Sequence, residues 1–238
     1  MAPLSYTGSA MTAALIDVII PVYNEQDSIG YVLADIPRNW VRQVVVVDNG
    51  STDQSASIAN QAGARVVHEP RRGYGAACLA GLAVIDRSPP EIVVFLDGDY
   101  SDHPDQLPLL VTPILEDQAD MVIGSRMRRR QPKGALTLQG RFGNALATGL
   151  LRIFFGVQYT DLGPFRAIRY QSLMRLGMCD RDYGWTVEMQ IKAARQGLRY
   201  EEIPVKYRPR IGESKISGTL SGCLKAGYKI LFTLARHA

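Results

Sequence analysis

Cysteine is scarce in this chain: Cys78, Cys179 and Cys223 are the only three in 238 residues, and they stand far apart. Without paired spacing they exclude a zinc cluster or a disulfide framework and fit a reducing cytoplasm. Long apolar runs are missing too. The longest, such as Val44 to Val47 and Ile92 to Leu96, fall far short of the roughly 20 residues a membrane-spanning helix requires. Charge excess is slight: 27 Lys and Arg against 23 Asp and Glu leave +4, and the basic residues are not interleaved with aromatics. That balance argues against a nucleic-acid partner. A G-x-G-x-x-G fingerprint is absent, which counts against NAD or FAD chemistry. Internal repeats, low-complexity tracts and linkers are absent as well. Residues 1–15 lack a basic start followed by an apolar run, so a mobile N-terminal tail is expected there rather than a cleaved signal peptide, with Met11 as an alternative start.

What is present is enough apolar sequence, 46%, for one large core, so a single domain over 16–238 is expected. From Ile16 to about Gly124, short β-rich runs alternate with helical stretches, the pattern of a parallel sheet with crossover helices: an α/β, Rossmann-like fold with helices on both faces. The expected strands are Asp17 to Val22, Gln43 to Asp48, Arg65 to His68, Glu91 to Asp97 and Asp120 to Gly124. Asn24 is placed to cap a helix entering at Glu25, and Ser51 or Thr52 one that runs to Ala62 and stops at Gly63. After Gly124 the alternation fails. A basic loop, Arg126 to Gly134, leads into an apolar helix from about Leu136 to Phe155, then strands near Phe165 to Arg169 and Tyr200 to Tyr207, with helices over Trp185 to Gln196 and Ser217 to Ala235. The expectation is a nucleotide-binding half, 16–124, and an acceptor half, 125–238, that ends in an amphipathic helix.

The strongest chemical signal is VVFLDGDYSDHP, in which a β-rich run ends in Asp97 and Asp99 separated only by Gly98. Two carboxylates at a strand tip can converge on one hard cation, Mg²⁺ or Mn²⁺, that neutralises a leaving diphosphate. An Asp-Gly-Asp turn facing solvent is the bland alternative. Three other strand ends meet it at the same sheet edge, where open α/β sheets bind ligands. IIPVYNE carries Asn24 and Glu25; VVVVDNGSTD carries Asp48, Asn49 and Asp53; EPRRGYGAA carries Arg72, Gly73 and Gly75. Helix caps and turns account for each singly, whereas a nucleotide laid across the edge accounts for all of them. Glu25 or Asp48 suits the base or ribose, and Arg72 with the Gly73 to Gly75 backbone suits a phosphate.

PVYNE, VVVVDNGSTD, RRGYGAA, FLDGDYSDHP, VIGSR, TDLGPFRAIR and GWTVEMQIKAARQG, in this order, closely resemble the family 2 glycosyltransferases of GT-A fold. The subgroup most resembled is the polyprenyl-phosphate sugar transferases, including dolichol-phosphate mannosyltransferase, and the likeness runs from Asp17 to about Phe232. It implies an inverting transfer from a nucleoside diphosphate sugar. Pro21, Tyr23, Glu25, Asp48, Asp53, Arg72, Gly73, Asp97, Gly98 and Lys215 would hold the nucleotide, Asp97 and Asp99 the metal, and Arg126 with Arg141 the acceptor phosphate. Where the mannosyltransferases read Asp-Ala-Asp-Leu-Gln-His, this chain has Ser101 and Asp102 before His103. The resemblance therefore leaves the ligand expected near Ser101 open between Asp102 and water.

Charge distribution selects the acceptor. A hydroxyl nucleophile needs a general base, whereas a phosphate monoester, with a second pKa of about 6, is already anionic at neutral pH and needs a basic cradle. Arg126, Arg128, Arg129, Arg130, Lys133 and Arg141 supply one, and Arg208, Arg210 and Lys215 lie on a late Gly-containing loop suited to closing as a lid. Solvated surface charge is the bland reading of the run, and attraction to an anionic membrane another. Asp161 is the preferred remaining carboxylate and Glu188 the more structural one, with buried ion pairing an alternative for both. Trp185 and the Leu146 to Phe155 stripe are expected in the core, in preference to lipid contact. The C-terminal stretch is suited to docking on the domain, a membrane surface or another subunit, so any membrane contact is expected to be peripheral or through a partner. The leading expectation is hexose transfer to a polyprenyl phosphate; the rivals are a soluble hydroxyl acceptor and a non-catalytic nucleotide-binding subunit.

Overall fold

Valine and isoleucine in short unbroken runs favour strands buried on both faces, and the chain uses them that way. The computed structural model describes residues 15–212 together with Tyr228, Phe232, Thr233 and Arg236. Its strands are β1 (Ile16–Val22), β2 (Gln43–Asp48), β3 (Arg65–His68), β4 (Ile92–Phe95), β5 (Met121–Ser125), β6 (Arg166–Arg169) and β7 (Tyr200–Pro204). They form one seven-stranded sheet in the order β3-β2-β1-β4-β6-β5-β7. All pairings are parallel except those of β6, which runs antiparallel between β4 and β5.

Alternation along the strands divides the core in two. Val18, Ile20, Val44 and Val46 face one side, under α1 (Ile29–Asp35), α2 (Ser55–Gln61) and α4 (Leu107–Leu115). Ile19, Val45 and Val47 face the other, under α3 (Tyr74–Ile85), α5 (Leu138–Phe155), α6 (Tyr170–Leu176) and α7 (Trp185–Arg195). The expected α/β sheet with helices on both faces is therefore present. Trp185 is a core residue, as expected.

Several local expectations are corrected. Asn24 does not cap α1: it sits at φ 51°, and its side-chain oxygen accepts from Thr52 N at 2.8 Å, so α1 begins only after Ser28. Ser51 is likewise spent on Asn24 N at 3.0 Å, and Asp53, which accepts from Ser55 N at 2.9 Å, supports the start of α2 instead. Tertiary loop contacts thus outcompete the local caps. The strand near 91–97 ends at Phe95, which leaves Asp97 in the turn, and α6 was not expected. The Leu146 to Phe155 stripe is only partly core: Leu151 is buried, whereas Leu146, Ile153 and Phe154 are exposed. Of the expected Ser217 to Ala235 helix, Tyr228, Phe232 and Thr233 are helical and the rest lies outside the described residues, as do the tail 1–14 and Lys215.

Candidate active site

The chain leaves β1 toward β2 on one side and enters β4 on the other, so the loops that follow β1 and β4 diverge at a switch point and leave a crevice. That crevice measures ≈ 370 Å³. Pro21, Tyr23 and Glu25 line it from β1, Asp97, Gly98 and Asp99 from β4, and Arg72, Gly73 and Tyr74 from the start of α3. Seven of the nucleotide-site residues expected from the sequence are thereby brought together, with the expected metal ligand Asp99 beside them.

The turn after β4 is tightly determined. A Cβ on Gly98 would approach Val22 Cγ2 to 2.9 Å, so the acidic turn packs closely on β1 and any side chain at 98 would require Val22 to shift. Tyr100 closes the turn at φ 63°. Asp99 Oδ1 accepts from Ser101 N at 2.9 Å and Ser101 Oγ at 2.5 Å, and its Oδ2 lies 3.3 Å from Arg210 Nη1. Arg210 also reaches Glu25 Oε1 at 3.0 Å, and Ile211 N donates to Asp99 O at 3.0 Å. The loop after β7 is thus laced across the acidic turn, with a guanidinium between two carboxylates.

Beside Asp99 lie two further carboxylates, Asp102 buried and Asp97 half-buried. Asp97 N approaches Asp102 Oδ2 at 3.4 Å, while Asp97 Oδ1 and Asp102 Oδ1 are buried with no hydrogen-bond partner among the described residues. Burial, then repulsion from Asp99 and Asp102, holds the Asp97 carboxyl well above the usual range; Arg210 and Arg126 pull the other way. Burial and Asp99 push Asp102 up to about 7. Orphaned oxygens and crowded acids fit a hard divalent cation. Among the described residues no three His, Cys, Asp or Glu side chains converge as a complete ligand set. A cation here would take one or two carboxylates, completed by diphosphate oxygens and water, as Mg²⁺ does in phosphate sites. Ser101 Oγ is committed to orienting Asp99, and of the two neighbours it is Asp102 that carries a spare oxygen.

At the other end of the crevice, Asn49 is the brace. Its Nδ2 donates to Glu69 O and Arg71 O at 3.0 and 2.7 Å, and its Oδ1 accepts from Gly73 N at 2.8 Å. Arg72 donates to Asn49 O at 3.0 Å, and its guanidinium lies 3.1 Å from the centroid of the Tyr23 ring. Gly73, at φ 143°, faces the Arg181 carbonyl so closely that a Cβ would collide with it. This approach brings Asp182 and Tyr183 into the crevice lining, and no sequence pattern announced them. Asp48 and Asp53 are not brought into the lining. Asp48 accepts from Ser51 N and lies 3.0 Å from His68 Nδ1, and Asp53 accepts from Gln26 N at 3.2 Å, so both shape the loops behind the site.

A second cavity, ≈ 740 Å³, opens after β5. Its lining includes Arg126, Arg128, Arg129, Arg130, Lys133 and Arg141, so the two arginines expected at an acceptor phosphate share one basin. Arg126 is held by Asp161, which is fully buried, through Nε at 2.8 Å and Nη2 at 2.6 Å. Burial works against the guanidinium charge, but Asp161 outweighs it and holds the Arg126 pKa above its ordinary value. Asp161 is therefore a partner of Arg126 and not a free base. Glu202 accepts from Thr160 N and Oγ1, each at 2.8 Å, and fixes the same segment. Glu188, also buried, pairs with Lys192 at 2.7 Å and accepts from Asp180 N, a structural role. Arg126 contributes to the potential at both Asp97 and Asp102, so basin and acidic turn adjoin. Arg210 was foreseen only as one cation of a late basic loop; its fold-mate Glu25 lies 185 residues away in sequence, which no local pattern can signal.

A mostly parallel sheet with an acidic turn at its switch point and a basic basin alongside defines a GT-A glycosyltransferase architecture. Residues 17–177 match the model of the family described as Glycosyl transferase family 2, and the chain belongs to that family. It is 39% identical over 219 residues to an uncharacterised glycosyltransferase of Mycobacterium tuberculosis, covering 91% of this chain and 96% of the relative. It is 34% identical to a dolichyl-phosphate hexose transferase of Haloferax volcanii and 33% identical to an undecaprenyl-phosphate mannosyltransferase of Micrococcus luteus, each match covering 86% of this chain and 88% of the relative. Among solved structures it resembles glucosyl-3-phosphoglycerate synthase from Mycobacterium tuberculosis in complex with Mn²⁺, UDP-glucose and phosphoglyceric acid. The TM-score is 0.76 at 24% identity, with 94% of this chain and 79% of that one covered, a likeness of fold.

Proposed function

We propose that this family 2 glycosyltransferase moves a hexose from a nucleoside diphosphate sugar, of the UDP-glucose or GDP-mannose type, to a polyprenyl or dolichyl phosphate, with inversion and with Mg²⁺ or Mn²⁺. The carrying observation is the basin of Arg126, Arg128, Arg129, Arg130, Lys133 and Arg141 beside the Asp97–Asp102 turn. The names of the Haloferax and Micrococcus relatives support the same acceptor class. No helix among the described residues is long and apolar enough to cross a membrane. A lipid-linked acceptor would be met at a membrane surface, which this reading places on the cytoplasmic side.

Asp99 and Asp97, with Asp102 behind them, would hold the cation, which supplies charge neutralisation for the departing diphosphate. Tyr23, Glu25, Arg72 and Gly73 would position the nucleotide, and Lys215 is assigned to the same task. Arg126, oriented by Asp161, and Arg141 would hold the acceptor phosphate so that one of its oxygens faces the anomeric carbon. That oxygen forms the new bond as the bond from the carbon to the diphosphate breaks, and the electron pair leaves with the nucleoside diphosphate. Proton removal is not required, because the phosphate is already ionised.

A second reading rests on Asp102: a carboxyl pushed up to about 7 is suited to accept a proton from a hydroxyl, as a soluble phosphorylated acceptor would need. The fold likeness to glucosyl-3-phosphoglycerate synthase is compatible with it. Nucleotide release is to be measured from UDP-glucose and GDP-mannose with Mn²⁺, in the presence of undecaprenyl phosphate or of 3-phosphoglycerate. The expected result is stimulation by the lipid phosphate, reduced roughly 10–100-fold in Arg141→Ala, the loss of one charge-assisted contact. Stimulation by phosphoglycerate alone, abolished in Asp102→Asn, would establish the second reading instead.

A further inference from the structure

Helix α5 is apolar on two opposite sides. Asn144, Ala147 and Leu151, at i, i+3 and i+7, form its buried face. Leu138, Phe142, Leu146 and Ile153, at i, i+4, i+8 and i+15, share the opposite face, where they are 79%, 72%, 46% and 74% exposed. Phe154, 58% exposed, projects from the side of the helix near its C-terminal end, off this stripe. Scattered exposed apolar residues are ordinary, but several large ones on one face of one helix mark an interaction surface. Arg141 and Arg152 flank the stripe and are exposed, and the basic loop that carries Arg129, Arg130 and Lys133 leads directly into the helix. None of those three has a carboxylate partner among the described residues. The stripe is also continuous with the basin, because Leu138 and Arg141 line both.

From this arrangement we infer that the outer face of α5 docks in the plane of an anionic bilayer, with Phe142, Leu146 and Ile153 among the acyl chains and the 129–133 cations on the headgroups. A helix that lies in an interface has this composition, one apolar face bordered by arginine and lysine. Charge selects the occupant: a second copy of the chain would bring an equally basic rim against this one, whereas acidic headgroups complement it. Docking sets the mouth of the basin at headgroup level, where a lipid phosphate can enter while its chain leaves along Leu138. That last consequence rests on the lipid-phosphate reading proposed above; the docking itself does not.

Co-sedimentation of the full chain with vesicles tests the inference. Phosphatidylglycerol-containing vesicles are expected to retain the protein, phosphatidylcholine vesicles to retain at least tenfold less, and high salt to release it. Phe142→Ser/Ile153→Ser should lower partitioning at least tenfold, and Arg129→Glu/Arg130→Glu should abolish the preference for acidic lipid. A retained thermal shift with nucleotide sugar and Mn²⁺ reports that each variant is folded. Wild-type protein that ignores both vesicles, or a serine variant that partitions like wild type, overturns the inference. So does a wild-type dimer by light scattering that the serine variant converts to monomer without loss of vesicle binding, since the face would then belong to a second copy. Vesicle binding without transfer to undecaprenyl phosphate would instead sink the acceptor assignment and leave the docking face standing.

Discussion

The two halves of the sheet edge handle charge in opposite ways. Around the turn after β4, three carboxylates are packed together, two of them with an oxygen that lacks any hydrogen-bond partner among the described residues, and a distant arginine lies over the third. Around the loop after β5, the buried charge is matched: Arg126 and Asp161 meet in two parallel hydrogen bonds, and the remaining cations face an open basin. The first region is built to be completed by something positive and the second by something negative. That complementarity, rather than either motif alone, is what a donor diphosphate and an acceptor phosphate would each require.

The sharpest way to break the comparison is Asp99→Asn. It removes the carboxylate that Ser101 orients, and transfer is expected to fall by roughly 10³, about 4 kcal/mol, as when a preorganised electrostatic group is lost. Turnover measured with saturating Mn²⁺ checks it, and near-normal rates would mean that the acidic turn is not the cation site. Asp161→Asn attacks the matched pair instead. An uncompensated buried guanidinium should cost about 3 kcal/mol of folding stability, read by urea denaturation, whereas an unaltered midpoint would show that Arg126 finds solvent.

The smallest effect is a pH dependence confined to the acidic half. Asp102 titrates at about 7 when folded against the ordinary 3.8, so between pH 4 and about 7 the folded chain keeps a proton that the unfolded chain has released, and Asp97, also held above the ordinary range, acts in the same direction. Stability without metal should therefore decline as pH rises through that window. Mn²⁺ should oppose the decline, raising Tm by about 2–4 °C more at pH 7.5 than at pH 5. A metal effect independent of pH would separate these carboxylates from the cation site.

Legibility differed between the halves for a physical reason. Strands β1 to β5 are contiguous runs whose ends carry their chemistry within a few residues, so Glu25, Arg72, Asp97 and Asp99 could be read as one edge, whereas Pro21 and Tyr23 were implied only by the family resemblance. Asp48 and Asp53 belong to the same edge, but they turn away to hold His68, Ser51, Gln26 and Ser55, a choice that depends on which loop lies beside them. The Leu146 to Phe155 stripe of α5 was expected in the core, yet Leu146, Ile153 and Phe154 are exposed, because a helical apolar period does not say which of two apolar faces meets the sheet.

What the sequence by itself determined is the order of the strands, the acidic Asp97-Gly98-Asp99 stretch at the end of one of them, and the supply of cations after β5. These are local, because period, small size and charge act over a few residues. Only the tertiary structure decided that β6 would run antiparallel between β4 and β5, that Arg210 would lie between Glu25 and Asp99, that Asp161 would be spent on Arg126, and that α5 would leave five large apolar side chains uncovered. Each depends on partners brought together across the chain, where packing and desolvation outweigh any preference written in neighbouring residues.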